Sequence, residues 1–210
     1  MPKRNPLSRC AALGATLALT LTGCGQDRGD VGEAPEDRIA LTELSDRLDG
    51  VVEHTYTAEY LAEGTGEQVT VAVDPEQGRA VVVLGDEAAL WSESDPQDLS
   101  TWLGVQLTGT LPSGEAVAGW LSATSEDPAA RTEFSDTTLA GELADCVSVT
   151  GAAHSPVGAY KVCVTTVGVI ASVNAETGET SYTAKLIGYR DGVDASWLDE
   201  LEAGAAHADQ

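Results

Sequence analysis

The segment VEHTYTAEYLAEGTGEQVTVAVDPEQGRAVVVLGDEAALW, residues 52–91, alternates apolar and polar side chains along successive short runs. Glycine-rich or proline-containing turns separate the runs, so the segment predicts an antiparallel meander. A turn at residues 64–66 brings the first two runs together with their apolar residues on one face. The predicted register pairs Tyr60 with Val69, Ala58 with Val71 and Tyr56 with Val73. The expected sheet therefore has one buried face and one solvated face.

Helical patterns flank this meander. Residues 37–49 carry leucines at helical spacing and end at Gly50, which predicts an amphipathic helix. Residues 94–96 (Ser-Asp-Pro) predict a second helix start. Asp194 predicts the cap of a short C-terminal helix. Residues 105–135 have no clear periodicity, and for residues 115–124 the choice between helix and strand stays open.

Two further hairpins are expected in the C-terminal half. Residues 143–150 and 161–167 predict strands that flank a loop, with Val147 opposite Val162. Residues 176–179 predict the turn of the last hairpin. The register expected there pairs Val173 with Tyr182, Ala171 with Ala184 and Val169 with Leu186.

The composition is strongly acidic. The chain has 34 acidic and 11 basic residues, a formal net charge of −23. Such a surface repels nucleic acid and anionic headgroups, so nucleic acid is excluded as a partner. The partner class that the acidic surface predicts is a protein or a cation; a lipid or hydrophobic small molecule is what the family resemblance described below implies. The chain is expected to be a monomer.

No pattern in the sequence predicts catalysis. The three histidines, His54, His154 and His207, stand apart from one another, and no zinc-protease, nucleophile-elbow or phosphate-loop motif is present. Paired acids such as Asp86-Glu87 fall in expected turns, where solvated carboxylates are the norm. We therefore expect no enzyme activity, no catalytic residue, no metal site and no cofactor.

The N-terminus resembles the export signal of a bacterial lipoprotein. Lys3, Arg4 and Arg9 precede an apolar run that is too short to remain as a membrane span. The run ends in Leu-Thr-Gly-Cys at residues 21–24, which is similar to a lipobox. The resemblance implies that residues 1–23 are removed, that Cys24 carries a lipid, and that the protein is extracytoplasmic and anchored to the cell membrane.

The remaining cysteines predict a disulfide. If Cys10 leaves with the signal and Cys24 is acylated, Cys146 and Cys163 remain in an oxidising compartment. Pairing Cys146 with Cys163 places Val147 opposite Val162, and so puts the disulfide on the face away from the valines. Removal of the signal would also leave eight basic against 34 acidic residues, a formal charge of −26.

The order of elements resembles the LolA-like lipoprotein carriers and their relatives in the actinobacterial LppX/LprG group. Residues 40–50 look like the first helix of that group, and residues 81–91 like its strand–turn–strand. Residues 138–147 with 162–164 look like a disulfide-paired hairpin of actinobacterial lipoproteins, and residues 168–189 like the closing strands.

The resemblance implies an α+β fold: a curved antiparallel half-barrel with an N-terminal amphipathic helix and short helices on its concave side. The expected organisation is a signal peptide at 1–23, a lipid-anchored flexible tether at 24–36, one LolA-like domain at 37–202, and a disordered tail at 203–210.

The same resemblance implies a cavity for a hydrophobic ligand such as an acyl chain, between helix and sheet. The residues expected to line it are Leu41, Leu44, Leu48, Tyr56, Tyr60, Val71, Val82 and Trp91. The alternative left open is a filled core without ligand, in which the protein is a surface interaction or structural module that binds a protein partner or cations.

Overall fold

A computed structural model describes residues 35–178 and 180–208 of the chain. Cys24, with the predicted signal and most of the predicted tether, lies outside these residues. The helices are α1 Pro35–Gly50, α2 Leu99–Gln106, α3 Gly114–Ser125 and α4 Ala195–Ala208. The strands are β1 Tyr56–Ala62, β2 Glu67–Asp74, β3 Arg79–Leu84, β4 Glu87–Ser92, β5 Arg131–Leu139, β6 Glu142–Thr150, β7 Ala159–Thr165, β8 Ile170–Thr177 and β9 Thr180–Asp191.

The strands form one curved, open antiparallel sheet in the order β4-β3-β2-β1-β9-β8-β7-β6-β5. The α+β fold class predicted from the sequence is therefore confirmed. The first hairpin has the predicted register, with Tyr60 opposite Val69 and Ala58 opposite Val71. Its alternating pattern decides the register because a slip by one residue would turn every apolar side chain toward water.

Three helices cover one face of the sheet, which we call the concave face. Leucines of α1 and α2 and the tryptophan and leucine of α3 join valines and tyrosines of both halves of the sheet in a single core. Ser45 links α1 to α3 through a hydrogen bond, in which its hydroxyl donates to the carbonyl oxygen of Ala118 at 3.2 Å. The core therefore includes the interface between α1 and α3 as well as their contacts with the strands.

Helix α4 lies on the opposite face, so the expectation that every helix lies on the concave side is wrong for this one. Its Leu198 packs on Ala72 and Val81. The continuous apolar run of β3, residues 80–84, explains the placement, because a strand with apolar residues on both faces needs cover on both. Arg79 also reaches α4, where its guanidinium pairs with Asp199 at 2.9 Å.

Several boundaries differ from those expected. Residues 51–53 form a 3₁₀ turn, so β1 begins at Tyr56 and His54 is exposed ahead of it. Helix α2 begins at Leu99, capped by Asp98, rather than at the Ser-Asp-Pro signal of residues 94–96. Helix α1 begins at Pro35, inside the predicted tether. Residues 203–208, predicted as a disordered tail, continue α4.

The last hairpin differs from the predicted register by two residues. Val173 lies opposite Ala184 and Ala175 opposite Tyr182. The strands run on to the pair Thr177–Thr180, so the connection is shorter than the four-residue turn expected. Gly178 has a φ of +55°, the left-handed conformation that such tight hairpins require. A shift by an even number of residues leaves the apolar residues on the same face.

Cys146 and Cys163 are joined by a disulfide bond. They lie opposite each other on β6 and β7, next to the pair Val147–Val162, as predicted. Both sulfur atoms lie on the face away from the valines, where Ala171 packs against them. The bond therefore links neighbouring strands without entering the concave core.

Candidate functional site

A cavity of about 390 Å³ lies at the concave face, beside the C-terminal end of α1. Its walls come from the 3₁₀ turn, β1, β2, α2, the loop between α2 and α3, and the turn between β7 and β8. Most of the lining side chains are apolar. They are Leu48, Val51, Val52, Tyr56, Tyr60, Val71, Leu103, Leu107, Leu111, Pro112, Val169 and Ile170.

Two glycines let the backbone close around this cavity. Gly168, in the turn between β7 and β8, has a φ of +89°, and a methyl group on it would overlap the carbonyl oxygen of Arg47. Gly114, at the start of α3, lies so near the end of α1 that a methyl group would stand 3.0 Å from the carbonyl oxygen of Leu48. The end of α1 is thus held between two backbone segments that only glycine allows to approach it.

The first turn of α3 closes another side of the cavity. Ser113 caps the helix, since its hydroxyl accepts a hydrogen bond from the backbone N–H of Ala116 at 3.2 Å. Leu111 and Pro112 precede this cap and are buried against the core. The capped helix end fixes where the loop turns, and so positions these two side chains at the cavity wall.

Tyr56 and Tyr60 are the most buried of the polar side chains that line the cavity. Their exposed fractions are 5% and 4%. Among the residues that the structure describes, neither hydroxyl has a hydrogen-bond partner. By contrast, the hydroxyl of Tyr189 donates to Asp191 at 2.8 Å. Burial raises the pKa of both Tyr56 and Tyr60, so both remain neutral hydroxyls that can donate or accept.

The cavity rim is acidic. Asp49, Asp98 and Glu115 line it and are exposed, whereas none of the described lining residues is lysine, arginine or histidine. Hydrogen bonds from the backbone N–H and hydroxyl of Thr101 lower the pKa of Asp98. Burial, with a smaller contribution from Asp46, raises the pKa of Asp49. The apolar interior therefore opens through a mouth of negative charge.

The residues predicted to line a cavity divide into two groups. Leu48, Tyr56, Tyr60 and Val71 do line it. The other four lie elsewhere. Leu41 and Leu44 belong to the core shared by α1 and α3, Val82 is buried in the sheet core, and half-buried Trp91 on β4 donates from Nε1 to the carbonyl oxygen of Gln97 at 3.0 Å.

Sequence reasoning missed the contribution of the α2–α3 loop and of the β7–β8 turn. Leu107 and Leu111 lie in the stretch that could not be assigned. A usable signal was nonetheless present: Ser113 is a good helix cap, and Val117, Leu121 and Thr124 follow at helical spacing. Nothing comparable marks Val169 and Ile170, because their approach to the cavity depends on the fold.

The described residues contain neither a metal-binding cluster nor a helix that could span a membrane. The described residues contain no group of three or more histidine, cysteine, aspartate or glutamate side chains placed to hold a metal ion. Across residues 35–178 and 180–208, no helix combines the length and apolar character needed to cross a membrane.

No protein-family model and no curated protein matches this chain. Solved structures with a similar backbone include the complex structure of Pseudomonas aeruginosa MucA/MucB, at 12% identity and a TM-score of 0.49 over 76% of this chain and 60% of that chain. The crystal structure of MucB in complex with MucA(peri) matches at 12% identity and a TM-score of 0.45, over 73% of this chain and 56% of that one. The crystal structure of MucB matches at 11% identity and a TM-score of 0.41, over 76% and 62%. The chain thus spans about three fifths of the length of these structural neighbours.

Proposed function

We propose that this protein binds a hydrophobic ligand, such as a lipid acyl chain, in the cavity beside the end of α1. The observation that carries the proposal is the cavity itself: about 390 Å³ of space among leucine, valine and isoleucine side chains. A volume of this size lies within the range of small-molecule sites. The space opens to solvent on one side, so a ligand can enter it.

The driving force for such binding is the hydrophobic effect. Each buried methylene contributes about 0.8 kcal/mol, so a chain segment of eight methylenes contributes ~6 kcal/mol before the entropic costs of association. No catalytic group is needed for this activity. The protein would act as a carrier or sensor rather than as an enzyme.

The proposal includes a place in the cell envelope. The lipobox-like sequence at residues 21–24 supports export and lipid attachment at Cys24. The disulfide between Cys146 and Cys163 supports an oxidising, extracytoplasmic compartment, since such bonds are rare in the cytosol. A lipid anchor would hold the binding domain close to a membrane, which is the source of apolar ligands. The order of elements in the sequence resembles that of the LolA-like and LppX/LprG carriers, and this resemblance favours the same class of function.

Native mass spectrometry of the full chain purified from its own host tests this function. We expect the protein to carry an additional mass of a lipid or other apolar molecule, which organic solvent removes. A variant with the cavity filled, Val71→Trp, is expected to lack that mass. Wild-type protein that shows only its own mass and binds no hydrophobic fluorophore would contradict the proposal, and would favour the alternative of a surface interaction module.

A further inference from the structure

Two hydroxyls in the cavity wall make no hydrogen bond to the protein. Tyr56 and Tyr60 are both more than nine-tenths buried, and within the described part of the chain neither hydroxyl is paired. Both therefore keep their full capacity to donate to or accept from a group that enters the cavity.

These hydroxyls reach the cavity. Among the described residues, one side-chain nitrogen or oxygen atom is fully buried and has no hydrogen-bond partner. This atom is Nε of Arg79, and the two tyrosine hydroxyls are not in that class. The unpaired hydroxyls of Tyr56 and Tyr60 must therefore border space that can admit another group. Both residues line the cavity. They lie on the same face of β1, on either side of Ala58.

The mouth of the cavity restricts which molecules can enter. Its three exposed carboxylates, Asp49, Asp98 and Glu115, repel anionic groups, and no basic residue lines the cavity to pair with one. An apolar ligand with an anionic head would bring its charge to this rim. An ester, ketone or hydroxyl has no such conflict, and it can pair with the tyrosine hydroxyls inside.

We propose that the ligand is an uncharged amphiphile whose ester, carbonyl or hydroxyl group hydrogen-bonds to Tyr56 and Tyr60, and that the acidic rim rejects anionic amphiphiles. This inference rests on the proposed function and specifies the chemistry of the same cavity. Tyr56 and Tyr60 select the ligand, while the apolar wall supplies most of the affinity.

Competition against the fluorophore N-phenyl-1-naphthylamine tests the proposal with three probes of similar length. They are methyl decanoate, an uncharged ester; decanoate at pH 8, an anion; and undecane, which has no oxygen. The protein is residues 25–210 exported behind a cleavable signal peptide that has no lipobox, and it is isolated without detergent so that no attached lipid competes for the cavity. We expect methyl decanoate to bind at least tenfold more tightly than decanoate, with a smaller gap at high salt.

Removal of the hydroxyls provides the second arm. Tyr56→Phe and Tyr60→Phe should each weaken methyl decanoate about threefold to tenfold, the effect of one hydrogen bond, and leave undecane unchanged. Neither substitution should lower the melting temperature of the free protein, because neither hydroxyl makes a hydrogen bond within the described part of the chain. Tyr182→Phe is the matched control, since this ring packs 6.3 Å from Trp120 and lies outside the cavity lining.

The rim is tested with Asp49→Asn and Glu115→Gln, which should tighten decanoate and leave methyl decanoate unchanged. Asp98 is kept because it caps α2. This inference alone would be overturned if undecane and methyl decanoate bound equally tightly to the wild type and if neither phenylalanine substitution changed their binding. Decanoate binding as tightly as the ester would also overturn it. Failure of the wild type to bind the fluorophore or any probe would overturn the proposed function as well.

Discussion

The substitution Val71→Trp distinguishes an open cavity from a filled core. Val71 is 3% exposed and lies on β2, opposite Ala58 on one side and Val82 on the other. It lines the cavity, so an indole at this position has about 390 Å³ of adjoining space into which it can extend. Val73 is the matched control: it lies two residues further along the same strand, on the same face and fully buried, but outside the cavity lining.

The two substitutions should differ in cost. Val73→Trp inserts a large ring into a close-packed region, where overpacking costs about 1–3 kcal/mol. For a domain of this size about 1 kcal/mol lowers the melting temperature by roughly 2–4 °C, so the expected drop is about 2–12 °C. Val71→Trp should cost less than about 1 kcal/mol, because its ring occupies existing space.

The assay combines thermal unfolding with binding of a hydrophobic fluorophore. Val71→Trp is expected to keep its melting temperature and lose fluorophore binding, while Val73→Trp loses stability but, below its melting temperature, still binds. The reasoning is refuted if the two variants lose equal stability and the wild type binds no fluorophore. The space beside Val71 would then be filled in solution, and the acidic surface would become the better candidate for the functional site.

Three further predictions follow from the anchor, the disulfide and the turn at the cavity. Replacing Cys24 with Ser should leave an unprocessed precursor or release the protein from the membrane in cell fractionation; retention and processing like wild type would exclude lipidation at this residue. Cys163→Ser should expose a free thiol at Cys146 to labelling and lower stability by roughly 3 kcal/mol, the chain-entropy value for a loop of 17 residues; two free thiols in the unreduced wild type would contradict the bond. Gly168→Ala should lower stability by more than about 2 kcal/mol in chemical denaturation, because strain at positive φ is added to a collision with the end of α1. Gly109→Ala, at a φ of +84° but in open space, should lose clearly less, and equal losses would show that the collision contributes nothing.

The first hairpin could be predicted from sequence because its information is local. Apolar residues at every second position, with a glycine turn between the runs, leave one register that buries Tyr56, Ala58 and Tyr60 together. For the strands around the disulfide, the predicted register depended on pairing Cys146 with Cys163, and the structure has that register.

The sequence of strand β5 has no such local alternation of apolar and polar residues. Its residues 131–139 are mostly polar and largely exposed on both faces, with Phe134 itself 36% exposed. β5 is a strand because it pairs with β6. The sequence of β6, rather than an apolar pattern in β5 itself, determines that pairing. A half-solvated edge strand of this kind carries little hydrophobic periodicity to detect.

The cavity could be predicted only in part for a different reason. Tyr56, Tyr60 and Val71 face the concave side by strand alternation, which the sequence records. The remaining wall depends on how closely the β7–β8 turn and the start of α3 approach the end of α1. Gly168 and Gly114 permit that approach, but the residues they meet, Arg47 and Leu48, are far away in the chain.

The open edges of the sheet have a mechanical consequence. In a closed barrel, strand number and shear fix the radius, so the lumen can widen only if hydrogen bonds between strands break. Here β4 and β5 end the sheet and are not bonded to each other, so the curvature can relax with every strand ladder intact. Resistance to bending then comes from side-chain packing between the sheet and helices α1 to α3. Such a scaffold bends more easily across the strands than along them, so the sheet can change its curvature while the hydrogen bonds between strands stay intact.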